Sequence, residues 1–142
     1  MKKKVISALW WVLVAVCMGV IFYLSAQDGG TSEALSDEVK TVFGIPFSIT
    51  PIRKAAHFLE FAGLAFLVFN ALRATYGKNR PALSFLITAA YAVTDEIHQI
   101  FVEGRACRIF DVFVDSCGAA SAILFMMFIF FVWERGRLYD RK

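Results

Sequence analysis

Four long apolar runs dominate this 142-residue chain, each close to the roughly 20 residues that a helix needs to cross about 30 Å of hydrocarbon. They cover about residues 5–24, 55–72, 82–102 and 109–133. The first, Val5 to Leu24, carries no charge. Hydrocarbon offers no partners to backbone N–H and C=O groups, so each run must satisfy its own by coiling into a helix. The predicted fold class is therefore all-α: residues 1–142 as a single domain, a four-helix transmembrane bundle. Composition agrees, since 58% hydrophobic residues and a mean hydropathy of +0.61 exceed the apolar share of an ordinary soluble domain.

The basic start, Lys2-Lys3-Lys4, followed by an apolar run has the outline of a secretory signal. The run is too long for one, and no small-x-small cleavage site follows Leu24, so it is expected to stay as the first helix. Lys and Arg in short flanks set the orientation. Lys2 to Lys4 precede helix one, Arg73, Lys78 and Arg80 separate helices two and three, and Arg135, Arg137, Arg141 and Lys142 close the chain. Both termini are expected in the cytoplasm, N-in and C-in, in a multi-pass protein of the cell membrane.

The loop at about 25–51 falls on the outer side and carries Asp28, Glu33, Asp37 and Glu38 against Lys40. Thr31-Ser32 supplies N-cap chemistry, and Leu35, Val39, Val42 and Phe43 recur at helical spacing. This predicts a short amphipathic helix in the first outer loop, ended by Gly44-Ile45-Pro46. Arg53, Lys54, Arg105 and Arg108 also lie on that side and are read as site residues. The net charge of +3 speaks of topology, and no nucleic-acid partner is expected. Cys17, Cys107 and Cys117 form no disulfide framework. The chain has no CxxC, HExxH, phosphate-binding loop or dinucleotide fingerprint.

Ionisable residues interrupt three of the runs: Lys54, His57 and Glu60; Asp95, Glu96, His98 and Gln99; Asp111 and Asp115. At 1.5 Å per residue Glu60 lies roughly 8 Å below the outer boundary, Asp95 and Glu96 about 9–10 Å, Asp111 about 3 Å and Asp115 about 9 Å. Phase agrees with depth. Lys54, His57 and Glu60 recur every third residue, Asp95 and Gln99 stand at i and i+4, and Asp111, Asp115 and Gly118 continue one stripe. Gly63, and Gly118 with Ala122, let backbones approach closely beneath the cluster.

A lone charge at this depth costs a few kcal/mol, so these groups must pair, bind something or reach water. Three readings follow. The first is an outer-leaflet pocket that recognises or modifies a cell-envelope lipid or a lipid-linked headgroup, such as a wall precursor. Arg53, Lys54 and Arg105 would hold phosphate, and Gln99, Asp111 and Asp115 hydroxyls or amides. If the step is catalytic, His57 or Glu60 is the base and Asp95 or Glu96 its partner. The second is a noncatalytic scaffold held by a buried salt-bridge network. The third is a proton or ion transporter, for which the inner halves of the helices offer little beyond Asn70, Ser84 and Thr88. His-x-x-Glu is common by chance and no closed ligand set is evident, so no metal or cofactor is assigned. His98 is the weakest functional candidate.

Taken together, Arg53-Lys54-x-x-His57-Phe58-x-Glu60-Phe61, Asp95-Glu96-x-x-Gln99, Gly104-Arg105 and Asp111-x-x-x-Asp115-x-x-Gly118 resemble the VanZ-like family of small integral membrane proteins. Tyr23-Leu24-Ser25-Ala26-Gln27 is similar to that family's Ser-x-Gln element, so the resemblance covers almost the whole chain. It implies a membrane protein of a family associated with glycopeptide, specifically teicoplanin, resistance, and it leaves enzyme status, substrate and oligomeric state open. Position 115 departs from the family pattern, with Asp where many members have Asn.

Overall fold

A computed structural model describes residues 2–27, 49–102 and 108–139. Among these residues the elements are four helices: α1 (Lys2–Ser25), α2 (Ile49–Tyr76), α3 (Pro81–Gln99) and α4 (Ile109–Tyr139). The expected amphipathic helix of the first loop, Arg105 and Cys107 lie outside the described residues.

Local chemistry sets the helix ends. Gly77 stops α2 in the left-handed region, φ 72°, with its N–H donated to the Arg73 carbonyl at 2.8 Å, a cap that a residue without a Cβ adopts freely. Pro81 then opens α3 at the first turn, where its missing N–H costs nothing. α3 ends at Gln99 rather than 102, and the chain turns through Ile100 and Phe101. Asp111 sits in the first turn of α4, where a carboxylate suits the positive end of the helix dipole.

Successive helices run antiparallel. Ser7 of α1 meets Thr75 of α2, Met18 meets Tyr91 of α3, and Lys54 of α2 meets Asp111 of α4. α2 is the hub. Its Phe61, Leu64, Val68 and Leu72 pack with Val14 and Ile21 of α1 and Ala92 of α3. Its Ala65 and Phe69 pack with Ala119, Ile123 and Met126 of α4. Gly118 lets α4 press on α2, because a Cβ there would overlap the Phe58 carbonyl oxygen. Gly63 has open space around it and makes no such approach.

Among the described residues three helices are long and apolar enough to cross a membrane: Lys3–Ser25, Arg53–Tyr76 and Ile109–Arg137. Their outward faces carry Val12, Val16, Val20, Leu124, Phe125 and Phe128, an apolar surface that water would penalise heavily. α3 was expected to be a fourth such run and falls short of the other three. It has 19 residues, and its buried stripe is Ser84, Thr88, Ala92, Asp95, Glu96 and Gln99. Leu86, Val93 and Ile97 point outward instead. This is the reverse of a water-soluble helix, with the polar stripe inside and the apolar one outside.

Candidate functional site

The polar residues gather where α1 and α3 end and α2 and α4 begin. Three small networks meet there. The first joins α2 to α4 at the mouth: Lys54 Nζ lies 3.2 Å from Asp111 Oδ1 and 4.3 Å from the centre of the Phe110 ring. The pair is part-exposed, so solvent screens it and it guides orientation more than it stabilises.

One helical turn deeper, His57 Nδ1 stands 3.8 Å from Asp115 Oδ1 and 3.9 Å from Glu60 Oε2. Both are ion-pair separations too long for a hydrogen bond. Asp115 is fully buried, and neither of its carboxylate oxygens has a hydrogen-bond partner among the described residues. A buried carboxylate without donors is costly. Glu60, Asp95, Glu96 and Asp111 all lie within electrostatic reach of Asp115, so one acidic chamber draws on three helices.

The second network ties α1 to α3. Ser25 donates its hydroxyl to Asp95 Oδ2 at 2.8 Å, and Gln99 donates its amide to the same oxygen at 3.1 Å. Asp95 Oδ1 has no hydrogen-bond partner among the described residues. The third network ties α3 to the start of α4, with the Arg108 backbone N–H donated to Glu96 Oε2 at 2.9 Å. Beside them His98 stacks on Phe22 of α1 with ring centroids 4.1 Å apart, which turns it away from the chamber.

Of the residues singled out from sequence, Lys54, His57, Glu60, Asp95, Glu96, Gln99, Asp111 and Asp115 come to this one end. Arg53 is half-buried and forms no ion pair among the described residues. Arg105 lies outside them. Gln99 and one oxygen of Asp95 are occupied with each other. Ser25 was not singled out as a site residue, yet it is 1% exposed and holds Asp95; the Ser-x-Gln element at the exit of α1 is the signal that pointed to it. Among the described residues no three His, Cys, Asp or Glu side chains gather as a metal-ligand set.

No curated protein and no solved structure matches this chain. A family model does, that of VanZ/LLP1, over residues 10–132. The match takes in the last two-thirds of α1, all of α2 and α3, most of α4 and every polar residue of the chamber, and the chain belongs to the VanZ/LLP1 family.

Proposed function

We propose that the chamber binds the polar headgroup of a membrane lipid, such as a lipid-linked cell-wall precursor, from the outer leaflet. Asp115 carries this reading: a fully buried carboxylate with both oxygens unpartnered among the described residues, beside the imidazole of His57, calls for a hydrogen-bond donor. Sugar hydroxyls, amides and ammonium groups are such donors. Lys54 and Arg53 nearer the mouth supply positive charge for the phosphate of the same molecule. Glu60 beside His57 gives the chamber a proton acceptor and donor, so acid–base chemistry on a bound headgroup is within its means.

Orientation is part of the proposal. Lys3, Lys4, Arg73, Arg80, Arg135 and Arg137 cluster at the opposite end of the bundle, which the positive-inside bias assigns to the cytoplasm. In this reading α3 crosses as well, its apolar stripe toward lipid. The tie to glycopeptide resistance belongs to the family, and a chamber that holds a wall-precursor lipid would give it a physical basis.

The scaffold reading has one observation in its favour, the Ser25–Asp95–Gln99 cluster that joins α1 to α3. A transport path finds less support. Ser84, Thr88 and Asn70 donate to carbonyls of their own helix or its preceding residue, Arg80, Ser84 and Phe66, so their donors serve the backbone.

Native mass spectrometry of the protein extracted from membranes tests the proposal. A polyprenyl-phosphate-linked lipid should copurify with the parent chain and be lost from folded Asp115→Leu and His57→Ala variants, whichever glycerophospholipids these retain. A folded parent chain with no lipid selectivity, or gradient-driven ion flux in vesicles, overturns it.

A further inference from the structure

The end of the bundle opposite the acidic chamber carries two clefts between α1 and α2, of about 390 and 540 Å³. Both fall within the roughly 300–1,000 Å³ typical of ligand pockets. The smaller is lined by Lys3, Ile6, Trp10, Asn70 and Arg73; the larger adds Lys4, Trp11 and Tyr76. Lys3, Ala74 and Gly77 are common to both. A hydroxyl contact of 2.7 Å between Ser7 and Thr75, reinforced by the Trp11 indole N–H at 3.1 Å from Thr75 Oγ1, locks α1 to α2 here.

The charge of this end is lopsided. Among the described residues Glu134 is its one carboxylate, and Lys3, Lys4 and Arg73 form no ion pair. Arg73 is nonetheless held in place, its guanidinium 3.9 Å from the centre of the Phe130 ring, an arrangement that leaves the N–H edges of a stacked Arg available to an oxyanion. The positive end of the α1 dipole adds to the same field. Below the cations the walls turn apolar and aromatic, with Ile6, Trp10 and Ala74. Trp and Tyr favour the headgroup boundary.

We infer that these paired clefts seat an anionic phospholipid, its phosphate between Lys3, Lys4 and Arg73 and its acyl chains running down the α1–α2 groove past Ile6 and Trp10. Cations above an apolar wall match an amphiphile better than a free ion, because inorganic phosphate gains nothing from the lower half of the groove. The site is separate from the acidic chamber and does not depend on what that chamber binds.

The test uses the full-length chain in detergent, with native mass spectrometry reading retained lipid. Phosphatidylglycerol and phosphatidylcholine of identical acyl chains are offered in turn, with inorganic phosphate as competitor. Phosphatidylglycerol should be retained preferentially. Lys3→Gln, Lys4→Gln and Arg73→Gln should each cut that preference about fivefold, the worth of one cation near an anionic lipid. Lys3 and Lys4 are exposed, so their variants keep the test valid if Arg73→Gln misfolds. Equal retention of the two lipids, preference unchanged in the Lys variants, or full displacement by inorganic phosphate at matched concentration overturns the inference.

Discussion

The carbonyl oxygen of Phe58 occupies the space into which a Cβ on residue 118 would project. At this point α4 therefore rests on the backbone of α2, one residue from His57 and three from Asp115. A methyl group there meets backbone carbonyl and Cα atoms that cannot swing aside. Gly118→Ala should destabilise the bundle by about 1–3 kcal/mol, the usual cost of forced overpacking, and push His57 and Asp115 apart. Gly63→Ala, with open space around it, should be tolerated. Thermal unfolding of the two variants in detergent checks the contrast.

Asp115 offers a cleaner separation of charge from hydrogen bonding. Its oxygens have no hydrogen-bond donors among the described residues, so removing the charge lifts a burial penalty without breaking a hydrogen bond to any of them. Asp115→Asn should leave stability unchanged or raise it, because it removes a buried charge that no hydrogen bond offsets, and should keep ligand retention because an amide still accepts and donates. Asp115→Leu should fold equally well and lose the chamber's lipid while keeping the phospholipid held at the opposite end. Parallel melting curves and lipid retention measurements on both variants decide the matter. Loss of folded protein in Asp115→Leu would favour the scaffold.

Much of this was legible in the sequence, and the limits have physical reasons. The apolar runs located α1, α2 and α4, but α1 and α2 extend past them on both sides, to Lys2 and Ser25 and to Ile49 and Tyr76, and α4 continues past its run to Tyr139. Hydropathy ends where charge begins, whereas a helix continues while long side chains such as those of Lys54 and Arg135 reach for the interface. Three-residue spacing put His57 and Glu60 on one face with Lys54, and the structure keeps them there. The inward polar stripe of α3 was readable at Asp95, Glu96 and Gln99; that it lowers the hydropathy below that of the other three runs follows from the same residues. Ser25 and the opening opposite Gly118 were harder. A single hydroxyl at a helix end looks the same whether it meets a carboxylate or solvent, and what a glycine faces depends on the partner helix.

The Ser25–Asp95 bond gives α1 a specific seat on α3. Both residues are buried, and hydrogen bonds to a charged group are worth about 1.5–3 kcal/mol. Ser25→Ala should cost about that much, because Asp95 would retain Gln99 alone on that oxygen. Asp95→Asn should cost less than the sum of its parts when combined with Ser25→Ala. A double-mutant cycle on unfolding free energies measures the coupling, and additivity within about 0.5 kcal/mol would show that the bond does not hold the helices together.

Topology turns on α3. The polar groups at Ser84, Thr88, Asp95, Glu96 and Gln99 all face inward and Leu86, Val93 and Ile97 face out, so lipid sees an apolar surface even though the helix as a whole is less apolar than its neighbours. At 19 residues and 1.5 Å per residue its length is about 28 Å, close to the hydrocarbon thickness. If α3 crosses with the other three, the termini lie on one side; if it does not, they lie on opposite sides. Reporter fusions at each end, one fluorescent only in the cytoplasm and one active only after export, should both score the termini as cytoplasmic. An impermeant thiol reagent should label Cys107 in intact cells. Opposite readings for the two termini would remove the fourth crossing and, with it, the outer placement of Asp95 and Glu96.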